Sequence, residues 1–294
     1  MTTTQSSPQS PPRSTTPTPT GPVVILGGAG KTGQRVADRL AVRDIASLFA
    51  SRSTNPVFDW EDPTTWRGAL EGARAAYIAY QPDLAAPGAA QRIGSLAALA
   101  TELGVERLVL LSGRGEDGAL ESERSAFAAH EHVTVCRVAW FAQNFTEGAL
   151  AGAVPSGAFA LPAPADVPEP FVDLDDVADV AVLALTQDGH AGVVHELTGP
   201  ESLTLAEVAR QLSEAAGAPV EYAPVTQREF AREAVGAGLD GPTADFLAGL
   251  FAEIFDGRNV ATTTGVRDAL GREPRSFQDW AKDVAAQGVW SAQR

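Results

Sequence analysis

The sequence predicts an α/β protein, with a parallel sheet covered by helices on both faces and a smaller, mostly helical C-terminal lobe. Three observations predict it. Short apolar runs alternate with helical stretches up to residue 197, the first run ends in a glycine-rich turn, and from Leu203 onward the segments are mostly helical. The chain has 294 residues, 44% of them hydrophobic, enough for a sizeable core. Lys and Arg number 22 against 37 Asp and Glu, a formal net charge of −15, so direct binding to nucleic acid is disfavoured by phosphate repulsion. The single cysteine, Cys136, rules out an internal disulfide and a cysteine-rich zinc site, and is compatible with a cytoplasmic location.

Residues 1–21 are Thr, Ser, Pro and Gln with Arg13 as the one charged side chain, and are expected to be a disordered tail. No apolar run follows a basic start, so the tail does not read as a secretory signal. No segment supplies the roughly 18 uncharged apolar residues a membrane span needs. Val23, Val24, Ile25 and Leu26 form a continuous apolar run stopped by Gly27 and Gly28, the pattern of a strand buried on both faces. Val36, Ala37, Leu40 and Ala41 then mark one stripe of a helix over 34–42. Further strands are expected over 45–50, 57–58, 75–80, 108–111, 133–138 and 193–197, with helices over 64–70, 89–103, 120–130 and 177–185.

The second half divides differently. A core over 22–150 is followed by a lobe over 151–294, with elements around 170–200 returning to the core sheet. Residues 151–172 are rich in Pro, Ala and Gly and read as an irregular excursion over one end of the sheet. Thr204 and Glu207 have the spacing of a capping box. Helices near 226–235, 243–255 and 277–286 build the lobe, which is expected to close over the carboxyl ends of the strands, where open α/β sheets bind ligands.

Gly27, Gly30 and Gly33 fit G-x-x-G-x-x-G at the first strand-to-helix junction. A pyrophosphate needs close backbone approach and free N–H groups at a helix N-terminus, so this turn, with Lys31 and Thr32, points to a dinucleotide. Gly30-Lys31-Thr32 also resembles the end of a nucleoside-triphosphatase loop, but that motif requires glycine at position 25, which is Ile25. The second strand ends in Ala50-Ser51-Arg52-Ser53, without the acid that binds the ribose 2′-hydroxyl of NAD. Arg52 and Ser53, with Lys31 as an auxiliary, suit a 2′-phosphate, so NADP(H) is the expected cofactor and NAD(H) the alternative. The competing reading of Arg52 is an ordinary solvated arginine.

Val57-Phe58-Asp59-Trp60 with Asp62-Pro63, Leu110-Leu111-Ser112-Gly113, Arg137-Val138-Ala139-Trp140-Phe141 with Asn144-Phe145, and Asp173-Leu174-Asp175-Asp176 together resemble NmrA-like proteins, atypical short-chain dehydrogenases/reductases. Leu197-Thr198-Gly199-Pro200-Glu201 extends the likeness. Gly271-Arg272-Glu273-Pro274-Arg275-Ser276-Phe277, with the 50–53 stretch, is similar to reductases of ergot alkaloid pathways. The resemblance spans about 22–290 and implies a Rossmann fold with strand order 3-2-1-4-5-6-7. It also implies Asp59 and Trp60 near the adenine, Tyr80, Gln81, Ser112 and Gly113 along the cofactor groove, and Trp140, Phe141 and Asn144 facing nicotinamide and substrate. The bland readings are core aromatics for Trp60 and Trp140 and a loop tie for Asn144.

Ordinary short-chain reductases protonate the product with a Tyr-x-x-x-Lys pair. Here the tyrosines are 77, 80 and 222 and the lysines 31 and 282, so no such pair exists. A positioned proton donor is worth about 10²–10⁴ in rate, so either another group donates or the substrate needs little help, as an iminium or a quinone does. No catalytic residue is assigned; Glu123 is a candidate donor if its carboxyl is desolvated, and the favoured reading is a helix-surface carboxylate paired with Arg124 or solvated. Ser112 can hydrogen-bond a carbonyl or cap a helix. Asp173, Asp175 and Asp176 read as structural groups at a helix start. The histidines make no metal site. The expectation is an NADP(H)-preferring oxidoreductase acting on a small molecule such as a quinone, an imine or a carbonyl compound. The alternatives are a non-catalytic NAD(P)-sensing regulator with a protein partner, and an isomerase or cyclase with a structural dinucleotide.

Overall fold

The computed structural model describes residues 21–28, 30–148 and 150–290. The tail expected over 1–21 lies outside them, except for Gly21. Strand β1 (Val23–Leu26) is buried along its whole length, as a strand covered on both faces must be. It leads through the glycine turn into α1 (Lys31–Val42), then β2 (Ser47–Ala50), a short 3-10 turn at Pro63–Thr65, α2 (Trp66–Leu70) and β3 (Ala75–Ile78). Next come α3 (Ala89–Glu102), β4 (Arg107–Gly113), α4 (Asp117–Ala129) and β5 (Val133–Val138). The chain then leaves the sheet through a second 3-10 turn (Ala142–Phe145), α5 (Ala153–Ser156), β6 (Ala158–Leu161) and β7 (Pro168–Glu169). It returns with α6 (Leu174–Thr186) and β8 (Val194–Leu197). Beyond these lie β9 (Leu203–Thr204), α7 (Leu205–Ala216), β10 (Glu221–Pro224), α8 (Gln227–Gly236), α9 (Gly241–Ile254), α10 (Gly265–Leu270) and α11 (Phe277–Ala286).

The main sheet is parallel throughout, in the order β2-β1-β3-β4-β5-β8. The alternation of side chains sorts the core into two layers. Val24, Leu26, Ile78 and Leu110 meet α2, α3 and α4 on one face, and Val23, Ile25, Tyr77 and Val109 meet α1, α6 and α10 on the other. The order is that of a Rossmann sheet whose third strand has shrunk. The strand expected at 57–58 is one parallel bridge, Ser51 to Val57, beside the edge strand β2. Pro56 has no N–H to extend that ladder, and Phe58 turns inward to pack with Trp60 and Trp66.

The stretch 151–172 is more regular than its composition suggests. It contains α5, β6 and β7; β6 pairs in parallel with β10, and β7 antiparallel with β9. A third core layer, with Phe145, Phe159, Leu205, Phe277 and Trp280, joins these pieces to α7, α9 and α11. The capping box at Thr204 and Glu207 is formed, and Thr226 and Glu229 form another at the start of α8.

The N-terminus of α6 is an ionic hub. Asp173 caps the helix by accepting the Asp175 N–H at 2.8 Å, and also accepts from Gln143 and from Arg275. Arg39 of α1 reaches Asp175 and Asp179, while Arg272 reaches Asp176 and Asp179. Asp173 is almost fully buried and Arg275 about a third exposed. Asp173→Ala is therefore expected to lower stability by about 3 kcal/mol, the lower end for breaking a buried ion pair, read as a drop in the urea midpoint.

Candidate active site

The glycine turn explains itself by contact. Gly27 has φ +99°, and a Cβ there would lie 2.3 Å from the Ala79 carbonyl oxygen. A Cβ on Gly33 would lie 2.4 Å from the Gly28 carbonyl oxygen, so glycine lets α1 press against β1. Gly30 is different: a Cβ there would meet nothing within 4 Å. Its bareness leaves open space beside the first N–H groups of α1, which have no side-chain cap. These are the features a pyrophosphate requires, and the residues fit that group.

A cavity of about 600 Å³ extends from this turn across the carboxyl ends of β3, β4 and β5. Of the residues singled out from sequence, Gly27, Gly30, Lys31, Thr32, Gly33, Tyr80, Gln81, Ser112, Trp140, Phe141 and Asn144 line it. Gly28, quoted in the turn but not assigned a role, lines it too. Leu247, Leu250, Phe251 and Ile254 of α9 form an apolar wall opposite the sheet ends. Trp140 stands against Phe251 and Phe255 edge to face, at 5.9 and 5.2 Å between ring centroids, and so locks the sheet end to α9.

Lys31 and Asn144, 113 residues apart, meet directly: Lys31 Nζ donates to Asn144 Oδ1 at 2.6 Å. Burial lowers the Lys31 pKa from its usual value. The Asn144 turn is held on its other side by Gln143, whose Oε1 accepts the Leu174 N–H at 2.9 Å. Gln143 gave no signal in the sequence.

Other expected site residues are not on the cavity wall. Arg52 and Ser53 are exposed at the end of β2, next to Ser51, which neighbours Gly28. Asp59 Oδ1 accepts the Glu61 N–H at 3.1 Å, a local turn contact. Trp60 is a core residue: its ring packs on Phe58, Trp66 and Tyr80.

Glu123 overturns the expectation of a surface carboxylate beside Arg124. It is 3% exposed, because α4 turns this face onto β4 and β5. Arg137 of β5 grips both its oxygens, with Nε to Oε1 at 2.9 Å. Ser112 donates its hydroxyl to the same Oε1 at 2.6 Å, so that proton is committed. Both Glu123 oxygens are thus occupied by the arginine fork and Oε1 also by the Ser112 hydroxyl, and Glu123 is not on the cavity wall.

The carboxylic acids that line the cavity, Asp83, Glu116 and Glu169, belong to no motif visible in the sequence. Glu116 is the N-cap residue of α4 yet makes no cap bond. Its carboxyl instead occupies the space a Gly113 side chain would fill, 2.1 Å from an ideal Cβ. Burial first, then the facing Asp83 carboxyl, push Glu116 up to about 9, and burial also raises Asp83. Glu169 is pushed up to about 8 by burial, against the opposing pull of the Trp140 N–H and Arg114. One oxygen of Glu116 and one of Glu169 are buried without a partner. Cys136, pushed up to about 12 by burial, is inert. His190 and His195 face one another at 3.0 Å, and among the described residues no three potential ligands converge on a metal site.

The fold and the glycine-turn cavity define the class: a dinucleotide-binding α/β protein of the dehydrogenase/reductase type. No family model matches the chain. It is 30% identical to the uncharacterised oxidoreductase YesF of Bacillus subtilis, over 90% of this chain and 96% of that one. It is also 30% identical to agroclavine dehydrogenase of Claviceps fusiformis, over 91% and 98% of the two chains. The crystal structure of Citrobacter sp. triphenylmethane reductase with NADP(H) superposes with a TM-score of 0.74 at 20% identity, covering 90% of this chain and 99% of that chain. The chain belongs to the NmrA-like family of atypical short-chain dehydrogenases/reductases, a family of NAD(P)H-dependent oxidoreductases.

Raised carboxyl pKa values have a consequence for stability. Glu116 and Glu169 hold a proton more tightly folded than unfolded. Their contribution is therefore complete below the ordinary value of 4.5 and is lost as pH rises through about 8 for Glu169 and about 9 for Glu116. The unfolding free energy, and with it the urea midpoint, is expected to fall from about pH 4.5 to about pH 9, the free energy by at most about 1.4 kcal/mol per pH unit for each group. Glu116→Gln should flatten that fall.

Proposed function

We propose that the protein is an NADPH-preferring oxidoreductase that reduces a small organic electrophile. The observation that carries this reading is one continuous cavity, polar at the glycine turn and apolar at α9. Residues 22–150 serve as the dinucleotide-binding core and 151–294 as the substrate lobe, with the segment around 170–200 returning to the sheet. Bound NADPH supplies a hydride; the chain supplies orientation and a dry site. The N–H groups at Gly30–Gly33 hold the pyrophosphate. Tyr80, Gln81 and Ser112 line the groove for the rest of the cofactor, and Lys31 positions Asn144 beside it. Trp140 and Phe141 with the α9 wall hold a flat apolar acceptor. The NADP(H) held by the Citrobacter reductase supports the cofactor assignment, and the named activity of the Claviceps dehydrogenase supports redox chemistry. A sensor has no need of the apolar half of the cavity.

Arg52, free at the end of β2, is assigned to the 2′-phosphate. Arg52→Ala is expected to weaken NADPH about ten- to hundredfold, the worth of hydrogen bonds to a charged group, and to leave NADH unchanged in a fluorescence titration. Gly30→Val, whose side chain enters the open space, should abolish binding of both cofactors with an unchanged circular dichroism spectrum. Turnover is tested with a panel of quinones, cyclic imines and aldehydes. NADPH binding without oxidation by any of them would replace the enzyme reading with the sensor.

A further inference from the structure

Hydride delivery to a carbonyl-type acceptor leaves negative charge that needs a proton, and this chain lacks the Tyr-x-x-x-Lys pair that supplies it in ordinary short-chain reductases. Ser112 is committed to Glu123, and Glu123 to Arg137. Tyr80 accepts from Arg92 at its hydroxyl and keeps its own O–H, so Tyr80→Phe is the control for the assignment below. Tyr77 is fully buried within the sheet. The carboxyls on the cavity wall are Asp83 after β3, Glu116 after β4 and Glu169 of β7; Glu169 accepts the Trp140 N–H and Arg114 opposes its protonation, which leaves the Asp83–Glu116 pair.

We infer that Glu116, paired with Asp83, is the proton donor of this site, and that the site accordingly takes neutral acceptors that gain a proton with the hydride, quinones first. This rests on the oxidoreductase reading above. The geometry is that of a built proton store. Glu116 is 6% exposed, it leaves the N-terminus of its own helix uncapped, and its carboxyl stands beside the bare Gly113 at the end of β4. Oε2 has no hydrogen-bond partner among the described residues. Asp83 faces it from the loop after β3, with its own Oδ1 fixed by the Ala85 N–H at 2.8 Å. Two carboxyls so placed cannot both ionise cheaply, so the pair keeps one proton.

The surrounding charges keep it there. Glu253 of α9 and Glu123 of α4 both repel ionisation of Glu116. Their countercharges are directed elsewhere: Arg258 holds Glu253 and Arg137 holds Glu123. Arg114 lies nearer Glu196 and Glu169. No cation is therefore bonded to Glu116 among the described residues.

Reduction of a quinone to a hydroquinone consumes one hydride and one proton, with NADPH oxidised to NADP⁺ as the reductant. On the protein side, the Glu116 O–H bond breaks, an O–H bond forms on the acceptor oxygen that has gained the electron pair, and the carboxylate recovers a proton from water. Asp83 is a positioning residue that keeps the Glu116 proton bound at neutral pH. An iminium carbon, already positive, needs no such proton and serves as the internal control.

The test uses the full-length protein in two arms. In the first, infrared titration without cofactor follows the carbonyl stretch of protonated carboxyls. The expected result is two carboxyls that deprotonate on the alkaline side of neutrality, Glu169 and Glu116; Glu116→Gln removes one and leaves the other, and Asp83→Asn, where the repelling charge is gone, shifts the Glu116 titration to lower pH. In the second, Glu116→Gln should lower kcat for a benzoquinone about 10²–10⁴-fold with NADPH affinity unchanged, and leave reduction of a cyclic iminium within a few fold. Asp83→Asn should keep most quinone turnover but move its alkaline limb to lower pH. An alkaline-titrating carboxyl signal that is unchanged in Glu116→Gln, or equal loss of quinone and iminium turnover in a folded Glu116→Gln, overturns the assignment. Should NADPH bind and no acceptor be reduced by the unaltered protein, the oxidoreductase reading itself falls, and the infrared arm still reports whether the pair stores its proton.

Discussion

Everything at this site depends on how closely α1 approaches β1. Gly33 against the Gly28 carbonyl and Gly27 against Ala79 leave no room for a side chain. That approach fixes the helix N-terminus at the end of β1, one strand in from the sheet edge, between β2 and β3. From there the same helix sends Lys31 to Asn144, Arg35 to Glu147 and Arg39 to Asp175 and Asp179. One helix thus presents its bare N–H groups inward and carries, along its side, the anchors of the turn after β5 and of α6. A shift of α1 by a methyl group would move the phosphate site, Asn144 and the ionic hub together.

The ionic hub shows how an acidic protein spends its few cations. Arg39, Arg272 and Arg275 converge on Asp173, Asp175, Asp176 and Asp179 of one helix. The arginines come from the first helix and from the chain after α10, so the hub ties the start of the fold to its end. Asp173 also accepts from Gln143, which brings the turn after β5 into the same network.

The parts of the fold that are local in the chain were legible. The run from Val23 into the glycine turn, the strand over 133–138 and the capping box at Thr204 each state their structure within a few residues. The third strand was overestimated because its apolar pair, Val57 and Phe58, carries no sign of the shortened ladder beyond Pro56. The β6–β10 pairing was invisible: its partners are separated by more than fifty residues and rich in Ala and Pro. The same holds for the site. Glycines and aromatics beside strand ends announce themselves, whereas Glu116 and Glu169 look like ordinary surface acids until α9 and the sheet ends enclose them. Glu123 misled for a related reason, since nothing near it in sequence foretells Arg137 from the next strand.

The β6–β10 pairing also sets an order of assembly. During synthesis every strand of the main sheet has been made once Leu197 is added, whereas β10 and the α9 wall come later. The floor of the cavity, with its glycine turn, can therefore be complete before the roof exists. A nascent chain in that interval offers its dinucleotide cradle to solvent with Trp140 and Phe141 uncovered, so cofactor capture at that stage would hide apolar surface when the chain is most prone to aggregate.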